Sequence, residues 1–366
     1  MTPGKAGRRW VWLRRALAGA GVLAGVGVGA YFIVNSLLSV PPYAGADSDH
    51  FRDGRFHNPN PDEPHGFADF LRWKWTSEQG PWREWTNAAP GPPPPARVEA
   101  GRLRVTYVNH ATTLIQLDGF NVLTDPVWSE RVSPFRWAGP RRVRPPGLRF
   151  EDLPPIHAVV VSHNHYDHLD VDTLRRLHEA HAPRFFVGLG NGPVLERAGI
   201  PGAVELDWWQ SFSLGGVEVV SVPARHFSGR SLRDRDRALW CGYVVKSPSG
   251  AVYFAGDTAA GPHFEQVRDR FGPLRLALLP IGAYLPRWFM KPVHVSPDEA
   301  VAAHETLRPR ASVAIHFGTF PLADDGETQA VEDLKRVLST RPADFWVLDF
   351  GEGRDVPPTS QDDNQP

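Results

Sequence analysis

Four side chains able to bind metal crowd into six residues of this 366-residue chain: His163, His165, Asp167 and His168, within Ser162-His163-Asn164-His165-Tyr166-Asp167-His168-Leu169-Asp170. Imidazole nitrogen and carboxylate oxygen together suit zinc or a similar first-row ion, and no cysteine stands nearby to build a closed structural site. The cluster follows Ala158-Val159-Val160-Val161, a short, unbroken, β-branched run of the kind that forms a strand buried on both faces. On an extended exit from that strand, side chains two apart point the same way. His163 and His165 can therefore converge on one ion, while Asp167 and His168, after the turn, aim at a second. The chain has 15 histidines, and three of them beside an aspartate at one strand end are not what a merely polar loop would show.

Two metals need more than four ligands, so further His or Asp residues are expected where other strands end. His226 follows Ser221-Val222-Pro223-Ala224-Arg225. Asp257 closes Val252-Tyr253-Phe254-Ala255 through Gly256, a residue that lets two backbones approach closely. His316 closes Ser312-Val313-Ala314-Ile315 in the same manner.

The spacing His-x-His-x-Asp-His resembles the signature of the metallo-β-lactamase fold hydrolases. Longer strings are similar to the family of N-acylphosphatidylethanolamine-hydrolysing phospholipases D: Leu123-Thr124-Asp125-Pro126, Glu205-Leu206-Asp207-Trp208-Trp209, Phe254-Ala255-Gly256-Asp257-Thr258, Pro280-Ile281-Gly282-Ala283-Tyr284, Pro286-Arg287-Trp288-Phe289-Met290-Lys291 and Ala314-Ile315-His316-Phe317-Gly318-Thr319-Phe320. The likeness runs from Phe56 to Phe350. It implies an α/β protein, the αβ/βα four-layer sandwich, with its site along the shared edge of two sheets.

Residue for residue, the resemblance also implies a binuclear zinc (two Zn2+) centre: His163, His165 and His226 on one ion, Asp167, His168 and His316 on the other, Asp257 bridging. Asp167 and Asp257 would be the catalytic carboxylates. Tyr166 and His294 match positions that contact the phospholipid substrate. The implied reaction is hydrolysis of N-acylphosphatidylethanolamine to phosphatidic acid and an N-acylethanolamine without a side-chain nucleophile. Another phosphodiester, a lactone or an amide stays open as the substrate, because a metal pair activates water for attack on carbonyl carbon as readily as on phosphorus. Asn109-His110-Ala111-Thr112 resembles a family loop that has glycine where Asn109 stands. His110 there reads as a histidine with a structural hydrogen bond, not as a ligand.

Composition sets the outer limits. With 42% hydrophobic residues and a net charge of -1, the chain can bury a large core, and nothing in its charge attracts nucleic acid. A single cysteine, Cys241, excludes an internal disulfide and a cysteine zinc finger. It is expected in the core.

Residues 1–15 are basic, and 16–40 hold no charge over 25 positions, long enough for a transmembrane signal anchor and longer than most signal peptides. The body is then extracytoplasmic, held at the membrane surface, or secreted or periplasmic if the segment is cleaved. Gly21, Gly25 and Gly29 could pack two such helices into a homodimer. Residues 41–100 form an arm and linker. Trp73, Trp75, Trp82 and Trp85 would either meet the membrane or pack on the body, and a proline run from Pro90 to Pro95 would act as a stiff connector. The hydrolase domain is expected over 101–353 and a disordered tail over 354–366.

Within the domain, alternation and turn chemistry predict strands near 103–107, 114–117, 121–123, 184–187, 217–222, 240–246, 252–254, 274–279 and 312–315. Helices are predicted over 171–181, 261–271, 297–307 and 327–338.

Overall fold

The strand ahead of the histidine cluster, β6 (Ala158–Val161), lies inside a seven-stranded sheet of the computed structural model, which describes residues 34–59 and 65–359 together with Gly29 and Phe32. That sheet also contains β3 (Leu103–Asn109), β4 (Thr112–Leu117), β5 (Phe120–Thr124), β7 (Arg184–Gly188), β8 (Val204–Leu206) and β16 (Gly353–Asp355), in the order β16-β3-β4-β5-β6-β7-β8; a two-stranded antiparallel ribbon, β1 (Phe51–Arg52) with β2 (Arg55–Phe56), precedes it in the chain. A second seven-stranded sheet contains β9 (Ser211–Leu214), β10 (Val217–Val222), β11 (Gly242–Ser247), β12 (Gly250–Phe254), β13 (Leu274–Pro280), β14 (Ser312–Ile315) and β15 (Phe345–Trp346), in the order β15-β14-β13-β12-β11-β10-β9. Each sheet begins as an antiparallel meander and continues as parallel strands: β3 to β5 then β5 to β8, and β9 to β12 then β12 to β15.

The uniformly apolar strands serve two cores at once. Along β6, Ala158 and Val160 face the core between the sheets, while Val159 and Val161 face a second core. That outer core is closed by α2 (Val171–His181), through Leu174 and Leu177, and by α3 (Gly192–Arg197), through Val194 and Leu195. The same period-two division runs along β7, with Phe186 inside and Phe185 and Val187 outside. Over the other sheet lie α4 (His263–Phe271) and α6 (Pro297–Leu307), with the short α5 (Arg287–Met290) between them in the chain, so the layers are helix, sheet, sheet, helix, as expected. Each fully buried Val or Phe contributes on the order of 1.5–3 kcal/mol, which ties β6 to both cores at once.

Local signals act as the sequence suggests. Asp118 and Gly119, both at positive φ, turn β4 into β5. Asp170 caps α2 by accepting from Thr173 N, and Ser296 with Glu299 makes a capping box on α6. Cys241 is buried.

The flanking segments are more engaged with the body than expected. The candidate membrane segment lies mostly outside the described residues, and among those described no helix is long and apolar enough to cross a membrane. Its last residues serve the body: Val40 is fully buried and its N–H donates to Asp234 (2.8 Å), and Asn35 accepts from Leu232 N.

The arm divides its tryptophans. Trp73, on α1 (Phe67–Thr76), is buried and stacks on Phe289, and Trp82 donates to the Asp325 carbonyl, whereas Trp75 is 92% exposed. The proline run is a strap fastened to the sheet, with Pro95 and Ala96 carbonyls accepting from Gln116 and Asn121. At the other end, the fold passes the expected limit at 353. Arg354 and Asp355 pair with β3, and Arg275 donates to the carbonyls of Val356 and Pro357, so an unstructured tail starting at 354 is corrected: the four residues 354–357 are fastened to the body.

Candidate metal centre

Strand ends from both sheets meet at one edge. Past β6 come His163, His165, Asp167 and His168; past β10, His226; past β12, Asp257; past β14, His316. The close approach needs Gly256, where an added Cβ would lie 2.5 Å from that of Ser162. His316, Asp125 and His110 all hold positive φ, an unfavourable conformation for such residues that persists only where the surroundings impose it.

The seven expected ligands come together in two adjoining groups. His163 Nε2 lies 2.8 Å from His165 Nδ1, and His226 Nε2 lies 3.3 Å from that same atom. Asp167 Oδ2 is 3.2 Å from His168 Nε2 and 3.6 Å from His316 Nε2. Asp257 Oδ2 joins the groups, 3.2 Å from His168 Nε2, 3.1 Å from His316 Nε2 and 3.9 Å from His226 Nε2. In each of the sets His163–His165–His226 and His110–Asp167–His168–His316, the donor atoms fall within 4.8 Å of one another. His168 Nε2, His316 Nε2 and Asp257 Oδ1 are buried without hydrogen bonds. Buried polar atoms left unpaired in this way cost about 1–3 kcal/mol each, and cations shared among them would satisfy the whole set. The donors therefore fit a pair of metal ions.

Charge is divided between the two groups. Burial, with the neighbouring imidazoles, holds His163 well below its ordinary pKa, and burial holds His165 at about 4, so both rings are neutral as ligation requires. On Asp257 and Asp167 burial opposes the charge, but the His168 imidazolium outweighs it and keeps both carboxylates well below their usual range.

The residues behind the ligands fix their tautomers. Asp125, fully buried at the end of β5, accepts from His168 Nδ1 (2.6 Å), from Ser162 N (2.7 Å) and from Ser162 Oγ (2.6 Å). With its hydroxyl proton given to Asp125, Ser162 Oγ accepts from His163 Nδ1 (2.9 Å). His226 Nδ1 donates to the Val293 carbonyl (2.9 Å). These three rings are thereby turned so that Nε2 faces the other candidate ligand atoms. Sequence reasoning assigned no role to Asp125. A carboxylate ending the strand next to β6 was the available signal. His110 has the structural hydrogen bond expected of it, donating through Nε2 to Asp167 Oδ2 (3.0 Å).

Tyr166 and His294 part company. The Tyr166 hydroxyl donates to the Arg230 carbonyl (2.8 Å), and its ring lies 4.0 Å from the Arg230 guanidinium, so the phenol is already engaged by the protein. His294 stands 3.8 Å from Asp257 with Nδ1 unpartnered and its side chain 12% exposed. Burial lowers its pKa to about 4, leaving a neutral ring.

Residues 120–317 match the family model described as a Beta-lactamase superfamily domain. The chain is 39% identical to an uncharacterized protein of Mycobacterium tuberculosis over 95% of this chain and 97% of that one. It is also 39% identical to N-acyl-phosphatidylethanolamine-hydrolyzing phospholipase D 1 of Caenorhabditis elegans, over 68% of this chain and 75% of that one. Among solved structures, Igni18, a metallo hydrolase of Ignicoccus hospitalis, superposes with a TM-score of 0.53 at 22% identity, over 70% of this chain and 99% of that one. The chain belongs to the metallo-β-lactamase superfamily and is a metal-dependent hydrolase, with relatives among the N-acylphosphatidylethanolamine-hydrolysing phospholipases D.

Proposed function

We propose that this protein is a dizinc phosphodiesterase of the phospholipase D type that hydrolyses N-acylphosphatidylethanolamine to phosphatidic acid and an N-acylethanolamine. The observation that carries it is the meeting of seven ligand side chains at one edge in a chain 39% identical to an enzyme named for that substrate. A bound metal pair supplies an activated water at neutral pH and offsets charge on the phosphoryl oxygens.

The chain's own residues do the rest. Asp125, Ser162 and the Val293 carbonyl keep ligand nitrogens aimed inward. Asp257 Oδ2 sits between the two ligand groups, and Asp167, its side chain 13% exposed, is the carboxylate nearest solvent through which a proton can leave. His294 presents a neutral N–H to a substrate oxygen, and Tyr166 with Arg230 shapes the adjoining wall. Exposed aromatic groups of the arm, Trp75 above all, support contact with a lipid surface. The uncharged segment 16–40 supports anchoring with the body on the extracytoplasmic side.

The test is product analysis with the zinc-loaded full chain offered N-acylphosphatidylethanolamine, phosphatidylcholine, phosphatidylethanolamine and a panel of lactones. Release of N-acylethanolamine with phosphatidic acid is expected. Turnover of lactones with the N-acylated lipid left intact would replace this reading by a lactonase.

A further inference from the structure

We infer that Asp325 positions His316 through one water held behind the metal centre, a proposal that rests on the metal-centre reading above. His163, His168 and His226 each give their second ring nitrogen to a protein acceptor. His316 is different: its Nδ1 is buried and has no hydrogen-bond partner. Next to it is a cavity of about 10 Å³ whose lining includes His316, Asp325, His110 and Ala283. That volume holds one water.

Asp325 reaches the same space. It is 6% exposed, and its Oδ2 accepts from Ala283 N (3.1 Å), while Oδ1 is buried and unpartnered. A donor and an acceptor, both orphaned, thus belong to two residues that line a space the size of the molecule that would satisfy both. A water accepting from His316 Nδ1–H and donating to Asp325 Oδ1 completes the fourth imidazole's support and presents Nε2 to the metal. The arm holds Asp325 in place: Gly80 N donates to the Asp324 carbonyl (2.7 Å), Trp82 Nε1 to the Asp325 carbonyl (2.8 Å), and Glu327 N to the Pro81 carbonyl (3.0 Å).

The experiment is chelator competition with zinc alone as probe, on the full-length chain and the variants Asp325→Ala, Asp325→Asn and Asp324→Asn. Asp325→Ala is expected to weaken one zinc equivalent by about 10- to 100-fold and leave the other unchanged. Asp325→Asn, which keeps an acceptor, recovers part of the loss. Asp324, whose carboxylate serves Trp73 and Ser77 instead, tolerates the change to Asn without effect. Wild-type affinity at both sites in Asp325→Ala overturns the role of Asp325 and leaves the metal centre standing, whereas a wild-type chain that takes up no zinc overturns both. If the Ala variant fails to fold, a high-resolution crystal structure of the zinc-loaded wild type decides: a water bonded to both atoms supports the bridge, and a dry cavity refutes it.

Discussion

His168 and Asp125 form a fully buried pair in which the ring's Nδ1 donates to the carboxylate over 2.6 Å. Since Asp125 also accepts both protons of Ser162, and Ser162 orients His163, this single carboxylate aligns one ligand in each metal group. Asp125→Ala is expected to weaken zinc binding by about 10- to 100-fold and, by leaving a buried imidazole unpaired, to cost about 3–5 kcal/mol of stability. Chelator competition and denaturant melts measure the two effects.

Removing a ligand from one group should empty that group first. His226→Ala is expected to lower zinc uptake from two equivalents to about one and to cut turnover by at least about 100-fold while the melting curve of the metal-free protein stays close to wild type. Metal analysis of the purified variant, beside its circular dichroism melt, checks this.

Zinc loading should release protons. Burial opposes a charge on His316, but Asp257 and Asp167 outweigh it and raise the pKa to about 9; Asp257, Asp167 and Asp125 likewise raise His168 well above its ordinary value. Both rings are thus protonated near pH 7 in the metal-free protein and must be neutral to ligate. Affinity is expected to climb with pH and level off above about 9. For the metal-free fold the sign is opposite: the stabilisation from charged His316 is complete below 6.5, its ordinary value, and is lost as pH rises through about 9. Calorimetry in buffers of different ionisation enthalpy counts the protons; uptake without release would contradict this electrostatic picture.

The two faces of the arm should separate by mutation. Trp73→Ala empties a buried aromatic site and is expected to cost about 3–5 kcal/mol, seen as earlier melting and as protease cleavage ahead of Gly101. Trp75→Ala, at a 92% exposed position, should leave stability within about 0.5 kcal/mol and weaken binding to phospholipid vesicles. Unchanged vesicle binding would remove Trp75 from the lipid surface.

Much of this organisation is legible in the residues themselves. Unbroken Val runs announce strands buried on both faces, and a ligand at the end of such a run announces an edge site, which is how His226, Asp257 and His316 join the cluster despite their distance in sequence. Asp125 is harder to see, because its partners His168 and Ser162 lie about forty residues away and no local pattern distinguishes a carboxylate that orients ligands from one that ends a strand. The arm is ambiguous for a related reason: tryptophans among charged residues look alike whether they meet lipid or protein, and here Trp73 does one thing and Trp75 another. The tail's polar composition hides that β16 needs only a free edge of β3 to be ordered.

The most direct measurement is zinc content per chain of the purified full-length protein, taken together with its products from N-acylphosphatidylethanolamine. Two equivalents of zinc, with N-acylethanolamine and phosphatidic acid formed only when both are bound, are expected. A folded chain that binds no zinc, or that turns over the lipid equally well after the metal is stripped, would contradict a metal pair held by these seven side chains.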